Sequence, residues 1–410
     1  MNDYLIIGNG VAAVGCIEGI RSVDRDGRIT VVSQETHPVY CRPLISYYLE
    51  GKTDLARMQY RDADFYEKNG CRVLYGKTAV SADPSKRTVT LDDGSALPYT
   101  ALCIAAGSAP FVPPIAGLDS VPEALCFMTL DDALALERAT QTPKRVLIVG
   151  AGLIGLKCAE GLHGRASSIT VCDLADHVLP SILDADSASI LQSHLERNGV
   201  RFLLTNTVER FDGQTAHMKN GETIEFDVLV LAVGVRANTA LAKACGCETN
   251  RGVLVADDMK TTVNGIFAAG DCAEGTDASC GQKRVLAILP NAYMQGFTAG
   301  VNMAGGTAVF DSAIPMNAIG FFGLHTMTAG VYAGEESAQV SENGCKKLYT
   351  KDDLLKGFIL IGDTTRAGLY TSLIRNRTPL SSIDFEKMKK TATSAAFSSE
   401  MRTKCFGGVV

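Results

Sequence analysis

The sequence predicts an α/β protein with two parallel-sheet units and a C-terminal α+β segment. Two glycine-rich segments, residues 4–13 and 146–155, carry most of that prediction. Each begins with an apolar strand, turns on two glycines and continues into a helical pattern, which is the context that a Rossmann-like dinucleotide fold needs. The apolar runs 102–107 and 226–234 also match in pattern, so the internal repeat covers whole domains.

The length of 410 residues exceeds what one hydrophobic core usually supports. One chain with two such units is expected to hold two dinucleotides, and the natural pair is a flavin (FAD) and a nicotinamide (NAD). We therefore predict a discontinuous FAD-binding domain over 1–115 and 240–314, an NAD-binding domain over 116–239, and a C-terminal α+β domain over 315–410. The short apolar run 265–271 is typical of a further buried parallel strand.

The glycines of each loop allow a tight turn and a close approach of backbone amides to a pyrophosphate, while the helix N-terminus faces its charge. A small third residue lets the helix pack on the strand. The predicted cofactor contacts in the first loop are Gly8, Gly10, Val11, Ala12 and Ala13, and those in the second loop are Gly150, Gly152, Leu153, Ile154 and Gly155.

An acidic residue about 20 positions after each loop is expected to hold the ribose hydroxyls. In the second unit Asp173 ends the next strand, and no arginine follows nearby to accept a 2′-phosphate, so NADH is favoured over NADPH. In the first unit either Gln34 or Glu35 could hold the ribose.

A second group of candidates follows the strand 265–271. Gly270 and Asp271 lie at its carboxyl end, where open α/β sheets bind ligands, although Asp271 could instead cap the next helix. Ala292 follows Pro290 at a predicted helix start, whose N-terminus could stabilise negative charge on a reduced flavin.

Composition narrows the function classes. The net charge of −6 argues against nucleic acid as a partner, and prolines and a glycine interrupt the apolar stretch 101–118 well short of a membrane span. The 13 cysteines show no C-x-x-C spacing, so neither a disulfide framework nor a metal site is expected. A cytoplasmic protein is the expectation. The basic tail 375–404 is either a solvated face or a docking surface for an acidic electron carrier.

The chain resembles the FAD-dependent pyridine nucleotide reductases, in the branch with ferredoxin and rubredoxin reductases and the FAD domain of nitrite-reductase-like proteins. The matching segments are 8–13, 40–43, 105–107, 150–155, 234–238 and 269–271. The resemblance implies hydride transfer from NADH to the flavin and then electron release to a small redox protein or an iron–sulfur subunit. It also implies further cofactor contacts, which are Arg42, Pro43, Ala79, Ala106, Gly107 and Gly234, and a ribitol contact from Asp271.

Several departures from that family pattern matter. Gln34 stands where many relatives have the ribose carboxylate, and Ala106 replaces a usual threonine. Tyr47 and Lys157 stand where relatives often pair a lysine with a glutamate near the nicotinamide, so we assign no catalytic side chain and expect the flavin to mediate the chemistry. Cys41 lies two residues from the place of the redox-active cysteine of related peroxidases and disulfide reductases. The alternatives are therefore a thiol-dependent NADH oxidase, peroxidase or disulfide reductase using Cys41, and a flavoprotein scaffold or redox sensor. The assembly is expected to be a homodimer or part of a hetero-oligomer.

Overall fold

The computed structural model describes residues 1–406 and forms two compact units. The first unit comprises residues 1–174, 201–276 and 282–311. The second comprises residues 175–200, 277–281 and the chain from 312 onward. Each unit is described by itself below.

The N-terminal part of the first unit is built on a five-stranded parallel sheet. Its elements are β1 (Asp3–Ile7), α1 (Val11–Val23), β2 (Arg28–Ser33), α2 (Ile45–Leu49), α3 (Phe65–Lys68), β3 (Cys71–Tyr75), β4 (Ala79–Asp83), β5 (Thr88–Leu91), β6 (Ala96–Pro98), β7 (Ala101–Ile104) and β8 (Ser108–Pro110). Strands β4, β5 and β6 form a separate antiparallel sheet. Strands β1 and β7 are continuous apolar runs because both faces of the parallel sheet are covered.

The middle of the chain repeats this plan. Its elements are β9 (Ala124–Leu125), α4 (Leu130–Ala139), β10 (Lys144–Val149), α5 (Leu153–Leu162), β11 (Ala166–Cys172), α6 (Ala185–Arg197), β12 (Val200–Leu203), β13 (Val208–Asp212), β14 (Thr215–Met218), β15 (Thr223–Glu225), β16 (Val228–Leu231) and β17 (Val235–Ala237). The sheet order is β12-β11-β10-β16-β9, and β13, β14 and β15 form an antiparallel sheet. Strand β17 pairs with β8 in a two-stranded antiparallel ribbon.

The chain then returns to the first sheet. Its elements are α7 (Ala240–Ala244), β18 (Val253–Leu254), β19 (Ile266–Ala268), β20 (Ala273–Thr276), β21 (Lys283–Arg284) and α8 (Leu289–Met303). Strand β19 pairs in parallel with β7 and completes the order β19-β7-β1-β2-β3, which confirms the strand predicted over 265–271.

Helices α1 and α8 pack with their backbones in direct contact. A Cβ added to Gly15 would lie 2.2 Å from the carbonyl oxygen of Tyr293, and one added to Gly296 would lie 2.0 Å from that of Ala12. Two more glycines, Gly19 and Gly300, show the same close approach. Glycine is therefore required at these positions by the partner backbone.

The C-terminal part of the second unit is an antiparallel sheet with helices. Its elements are β22 (Met316–Phe321), β23 (Leu324–Gly330), β24 (Glu335–Ser341), β25 (Gly344–Lys351), β26 (Leu354–Ile361), α9 (Ala367–Arg375), α10 (Phe385–Lys390) and α11 (Ser399–Phe406). The order is β22-β23-β26-β25-β24. Buried Phe358 of β26 packs against Tyr370 of α9 in its core. The observed mixture of parallel-sheet units with an α+β segment agrees with the predicted fold class.

Candidate functional site

The two glycine loops have nearly the same backbone geometry. Gly8 has a φ of +111° and Gly150 a φ of +117°, values that L side chains rarely adopt. A Cβ on Gly8 would lie 2.1 Å from the carbonyl oxygen of Ala105, and one on Gly150 would lie 2.3 Å from that of Ala232. The first glycine of each loop is therefore fixed by the neighbouring strand as well as by its own turn.

The second glycine of each loop caps the following helix in extended backbone. Gly10 caps α1 at φ −93° and ψ −168°, and Gly152 caps α5 at φ −81° and ψ −177°. Apart from adjoining residues of the chain, no atom of the described residues lies within 4 Å of a Cβ built on Gly10 or on Gly152. The space beside each of these two glycines is therefore open for a ligand. Val11, Ala12, Leu153 and Ile154 follow in the first helical turns, where backbone N–H groups are free to face an anion.

The third small position differs between the loops. Gly155 is required because its Cβ would lie 2.0 Å from the carbonyl oxygen of Gly150. Ala13 occupies the same place in the first loop and is fully buried. The structure thus brings together the predicted loop residues of each copy at the carboxyl ends of β1 and β10.

Asp173 lies directly after β11 and contacts the second loop. Its carboxylate oxygen Oδ2 accepts a hydrogen bond of 2.6 Å from the backbone N–H of Ala151, which lies between Gly150 and Gly152. The acid predicted to hold a ribose is therefore fixed beside the phosphate loop.

The first unit arranges its acid differently. Gln34 follows β2 and is exposed. Glu35 is part of an ion pair, because its Oε1 accepts from the Arg42 guanidinium at 2.7 Å and its Oε2 accepts from the Tyr40 hydroxyl at 2.7 Å. Pro43 follows Arg42 in a short 3₁₀ turn. Tyr40 was not among the predicted site residues, although it begins the segment 40–43 quoted for the resemblance, and that segment was the available signal.

A second set of predicted residues lies in and around the turn that follows strand β19. A Cβ on Gly270, whose φ is +79°, would lie 3.0 Å from the Cβ of Ala12 and 3.7 Å from that of Ala292. The structure therefore brings these three residues together. Asp271 follows within a 3₁₀ turn and does not cap α8, and burial raises the pKa of its carboxyl.

Gln295 is a residue that the sequence reasoning missed. It is buried, and its side-chain oxygen accepts from the Gly270 N–H at 2.9 Å, so it fixes the turn that carries Asp271. Asn238 has a similar role, because its side-chain amide donates to the Ala106 carbonyl at 2.8 Å. Asn238 belongs to the segment 234–238 quoted for the resemblance, and that segment was the available signal.

The remaining predicted residues lie at strand ends and turns of the first unit. Gly107 (φ +65°) and Gly234 (φ +110°) lie beside the β8–β17 ribbon, and among the described residues no atom comes within 4 Å of a Cβ built on either. Ala79 begins β4, opposite Leu91 of β5.

One buried polar atom of the first loop has no hydrogen-bond partner in the part of the chain that the structure describes. It is Nδ2 of Asn9, which lies between the two glycines of the loop. The Asn9 amide is oriented by the Tyr66 hydroxyl, which donates to its oxygen at 2.6 Å. An unpaired buried polar group is costly and calls for a partner, so this atom fits a polar ligand at the loop.

Cys41 is half-buried just before the 3₁₀ turn of Arg42, and burial raises the pKa of its thiol. A raised pKa disfavours the thiolate, which is the nucleophile of cysteine chemistry. Lys157 of α5 forms a buried ion pair with Glu160 one turn later, and its ammonium group lies 4.7 Å from the centre of the Tyr47 ring. The lysine at this altered family position therefore has both a carboxylate and an aromatic partner.

The side chains that the structure describes, those of residues 1–403, include no group of three or more His, Cys, Asp or Glu placed to hold a metal ion. None of the helices in this described range is long and apolar enough to cross a membrane.

Two glycine loops of matching geometry, each at the end of a parallel sheet, are typical of an oxidoreductase that uses two dinucleotides. Comparison with known proteins agrees. Residues 2–296 match the family model described as pyridine nucleotide-disulphide oxidoreductase, and the chain belongs to that family.

Among its relatives, the epsilon subunit of the NADH-dependent phenylglyoxylate dehydrogenase of Aromatoleum evansii is 33% identical, with 92% of each chain covered. The nitrite reductase [NAD(P)H] of Bacillus subtilis (strain 168) is 31% identical over 92% of this chain, which spans only 48% of that longer protein. The fold also resembles that of the reductase in a crystal structure of a covalent putidaredoxin reductase–putidaredoxin complex, with a TM-score of 0.88. The two chains are 22% identical, and the match covers 96% of this chain and 97% of the other.

Proposed function

We propose that this protein is an NADH-dependent FAD reductase that passes electrons to a small iron–sulfur protein or to an iron–sulfur subunit of a larger complex. The observation that carries the proposal is the matched geometry of the Gly8 and Gly150 loops within one compact unit. The similarity to a subunit of an NADH-dependent dehydrogenase, complete over 92% of both chains, supports the multi-subunit form.

FAD fits the first loop. The open face of Gly10 leaves room for a pyrophosphate, and the unpaired Asn9 amide offers a donor to a polar ligand. Arg42 supplies positive charge, Asp271 accepts from the ribitol, and the N-terminus of α8 at Ala292 lies beside Gly270. Bound FAD would supply the ring that accepts a hydride and releases single electrons.

NADH fits the second loop. The open face of Gly152 admits the pyrophosphate, and Asp173 accepts from the adenosine ribose while it braces the Ala151 N–H. A carboxylate at this point repels a 2′-phosphate, which favours NADH over NADPH. Gly234 has no side chain and borders the nicotinamide. The described cysteines are all free thiols, as expected for action in the cytoplasm.

The deciding experiment is anaerobic reduction of the purified protein by NADH, followed by mixing with rubredoxin or ferredoxin and, separately, with oxygen or peroxide. The proposal predicts rapid bleaching of the flavin and rapid reoxidation by the iron–sulfur protein alone. Fast turnover with peroxide that is lost in Cys41→Ser would instead establish the thiol enzyme. Slow reoxidation by every acceptor would establish a scaffold or sensor.

A further inference from the structure

Both carboxylate oxygens of Glu35 accept hydrogen bonds from protein groups. One oxygen accepts from Arg42 and the other from Tyr40, both at 2.7 Å, and the side chain is only 25% exposed. The charge-assisted bond to Arg42 is among the stronger hydrogen bonds in proteins. A carboxylate oxygen can accept more than one hydrogen bond, so what these contacts establish is that Glu35 is coupled to Arg42.

Arg42 is fixed in place by this contact and by one more. Its Nη2 donates to Glu35, and its Nη1 donates to the carbonyl oxygen of Met128 at 2.9 Å. A guanidinium has five N–H donors, so these bonds leave donors for a ligand while they fix the plane of the group. The side chain is 40% exposed, and the negative charge of Asp271 also acts on it.

Tyr40 connects this pair to the backbone before and within α4. Its hydroxyl donates to Glu35 and accepts from the N–H of Leu130 at 2.8 Å. The Met128 carbonyl and the Leu130 N–H belong to the start of α4, which a capping box of Thr129 and Asp132 stabilises. The position of Arg42 therefore depends on a helix start that is itself fixed.

We propose that Glu35 and Tyr40 are positioning residues that act on the flavin nucleotide through Arg42, holding its guanidinium ready for the FAD pyrophosphate. In this proposal the role of Glu35 is to orient Arg42 and not to hold the adenosine ribose. The inference rests on the proposed function, because it assumes that FAD occupies the first loop. Fixing a long side chain before the ligand arrives strengthens binding, since less conformational freedom is lost on association.

A double-mutant cycle on FAD affinity tests this role. The deflavinated protein is titrated with FAD, and quenching of flavin fluorescence gives the dissociation constant for wild type, Glu35→Gln, Arg42→Met and the double variant. We expect roughly 5- to 10-fold weaker binding for Glu35→Gln and roughly 10- to 100-fold for Arg42→Met. The double variant should match Arg42→Met alone, whereas a loss equal to the product of the two single losses would overturn the proposal.

A second titration keeps the test decisive if Arg42→Met binds FAD too weakly to measure. Wild type and Glu35→Gln are titrated with an FAD analogue whose adenosine ribose lacks the 2′-hydroxyl. The proposal predicts the same ratio of affinities as with FAD. A ratio that falls to about one would assign Glu35 to the ribose and overturn it.

Two controls separate this inference from other failures. Asp227→Asn breaks a comparable Arg–carboxylate pair with Arg145, formed at 2.9 Å elsewhere in the first unit, and should leave FAD affinity unchanged. Wild-type protein that binds no FAD at all would contradict the proposed function itself. Wild-type binding with no effect of Glu35→Gln would contradict only the inference.

Discussion

The choice between NADH and NADPH should shift towards NADPH in the single variant Asp173→Asn. The side-chain oxygen of asparagine can still accept from the Ala151 N–H, which donates to Asp173 at 2.6 Å, so the hydrogen bond to the glycine loop is kept. What is lost is the negative charge beside the expected ribose. The variant therefore separates the electrostatic role of Asp173 from its structural role.

The size of the effect follows from two contributions. Replacing a charged acceptor by a neutral one costs about 1 kcal/mol of NADH binding, or about 5-fold in kcat/KM. Two unit charges about 4 Å apart repel by about 4 kcal/mol at an effective dielectric constant of about 20. Because Asp173 is partly exposed, we reduce the relief felt by NADPH to about 1–2 kcal/mol, or about 5- to 30-fold. The NADPH-to-NADH preference should thus rise by at least about 25-fold.

The assay measures kcat/KM for NADH and NADPH with ferricyanide as an artificial acceptor. Leu174→Arg added to Asp173→Asn should raise the NADPH value further, because Leu174 is 65% exposed and an arginine there can pair with the 2′-phosphate. Asp212→Asn, at the end of β13, removes an exposed charge elsewhere and should leave the preference unchanged. A preference within about 3-fold of wild type in Asp173→Asn would refute the assignment of Asp173 to the ribose.

Three further outcomes are expected. Gly8→Ala should lower the free energy of unfolding in urea by at least about 2 kcal/mol because of its 2.1 Å clash and positive φ. Gly10→Ala should keep wild-type stability but lose FAD affinity. Equal stabilities of the two variants would contradict the loop geometry. Lys157→Met removes the ammonium group paired with buried Glu160 and should destabilise the fold by up to about 3 kcal/mol. Most of this loss should be recovered in Lys157→Met/Glu160→Leu, and a double variant no more stable than the single one would contradict a buried pair. Cys41→Ser should keep turnover of NADH with ferricyanide within about 2-fold of the wild-type value. Because burial raises the pKa of the thiol, Cys41 of the wild type should react with iodoacetamide at pH 7 more slowly than free cysteine does. Rapid alkylation with loss of turnover would favour the thiol enzyme.

The parts of the fold that the sequence predicted well are those set by local chemistry. The loops at Gly8 and Gly150 are recognisable because the positive φ and the close carbonyl of the next strand exclude every side chain. Strand β19 was predictable because a buried parallel strand is a short apolar run. The Lys157–Glu160 pair was not predicted, although residues three apart on a helix are neighbours.

The parts that were missed depend on contacts between distant segments. Tyr40 meets Leu130 across 90 residues, and Gln295 meets Gly270 across 25, and neither contact leaves a periodic signal. Glu35 and Gln34 were equivalent candidates from spacing alone, and only the position of Arg42 distinguishes their surroundings. The predicted domain boundaries stay a prediction; they assign α6 to the domain over 116–239, whereas the structure groups residues 175–200 with the C-terminal sheet.

The glycine contacts between α1 and α8 have a consequence for motion. Each of the four glycines faces a carbonyl oxygen of the opposite helix, so sliding one helix along the other would bring larger side chains against that backbone. The two helices therefore move as one body, and their N-terminal ends at Gly10 and Leu289 keep a constant separation during turnover. Any opening that admits the nicotinamide must bend elsewhere, and the two-stranded β8–β17 ribbon, whose strands follow β7 and β16, is one place for it. Amide hydrogen exchange should be slower in α1 and α8 than in that ribbon.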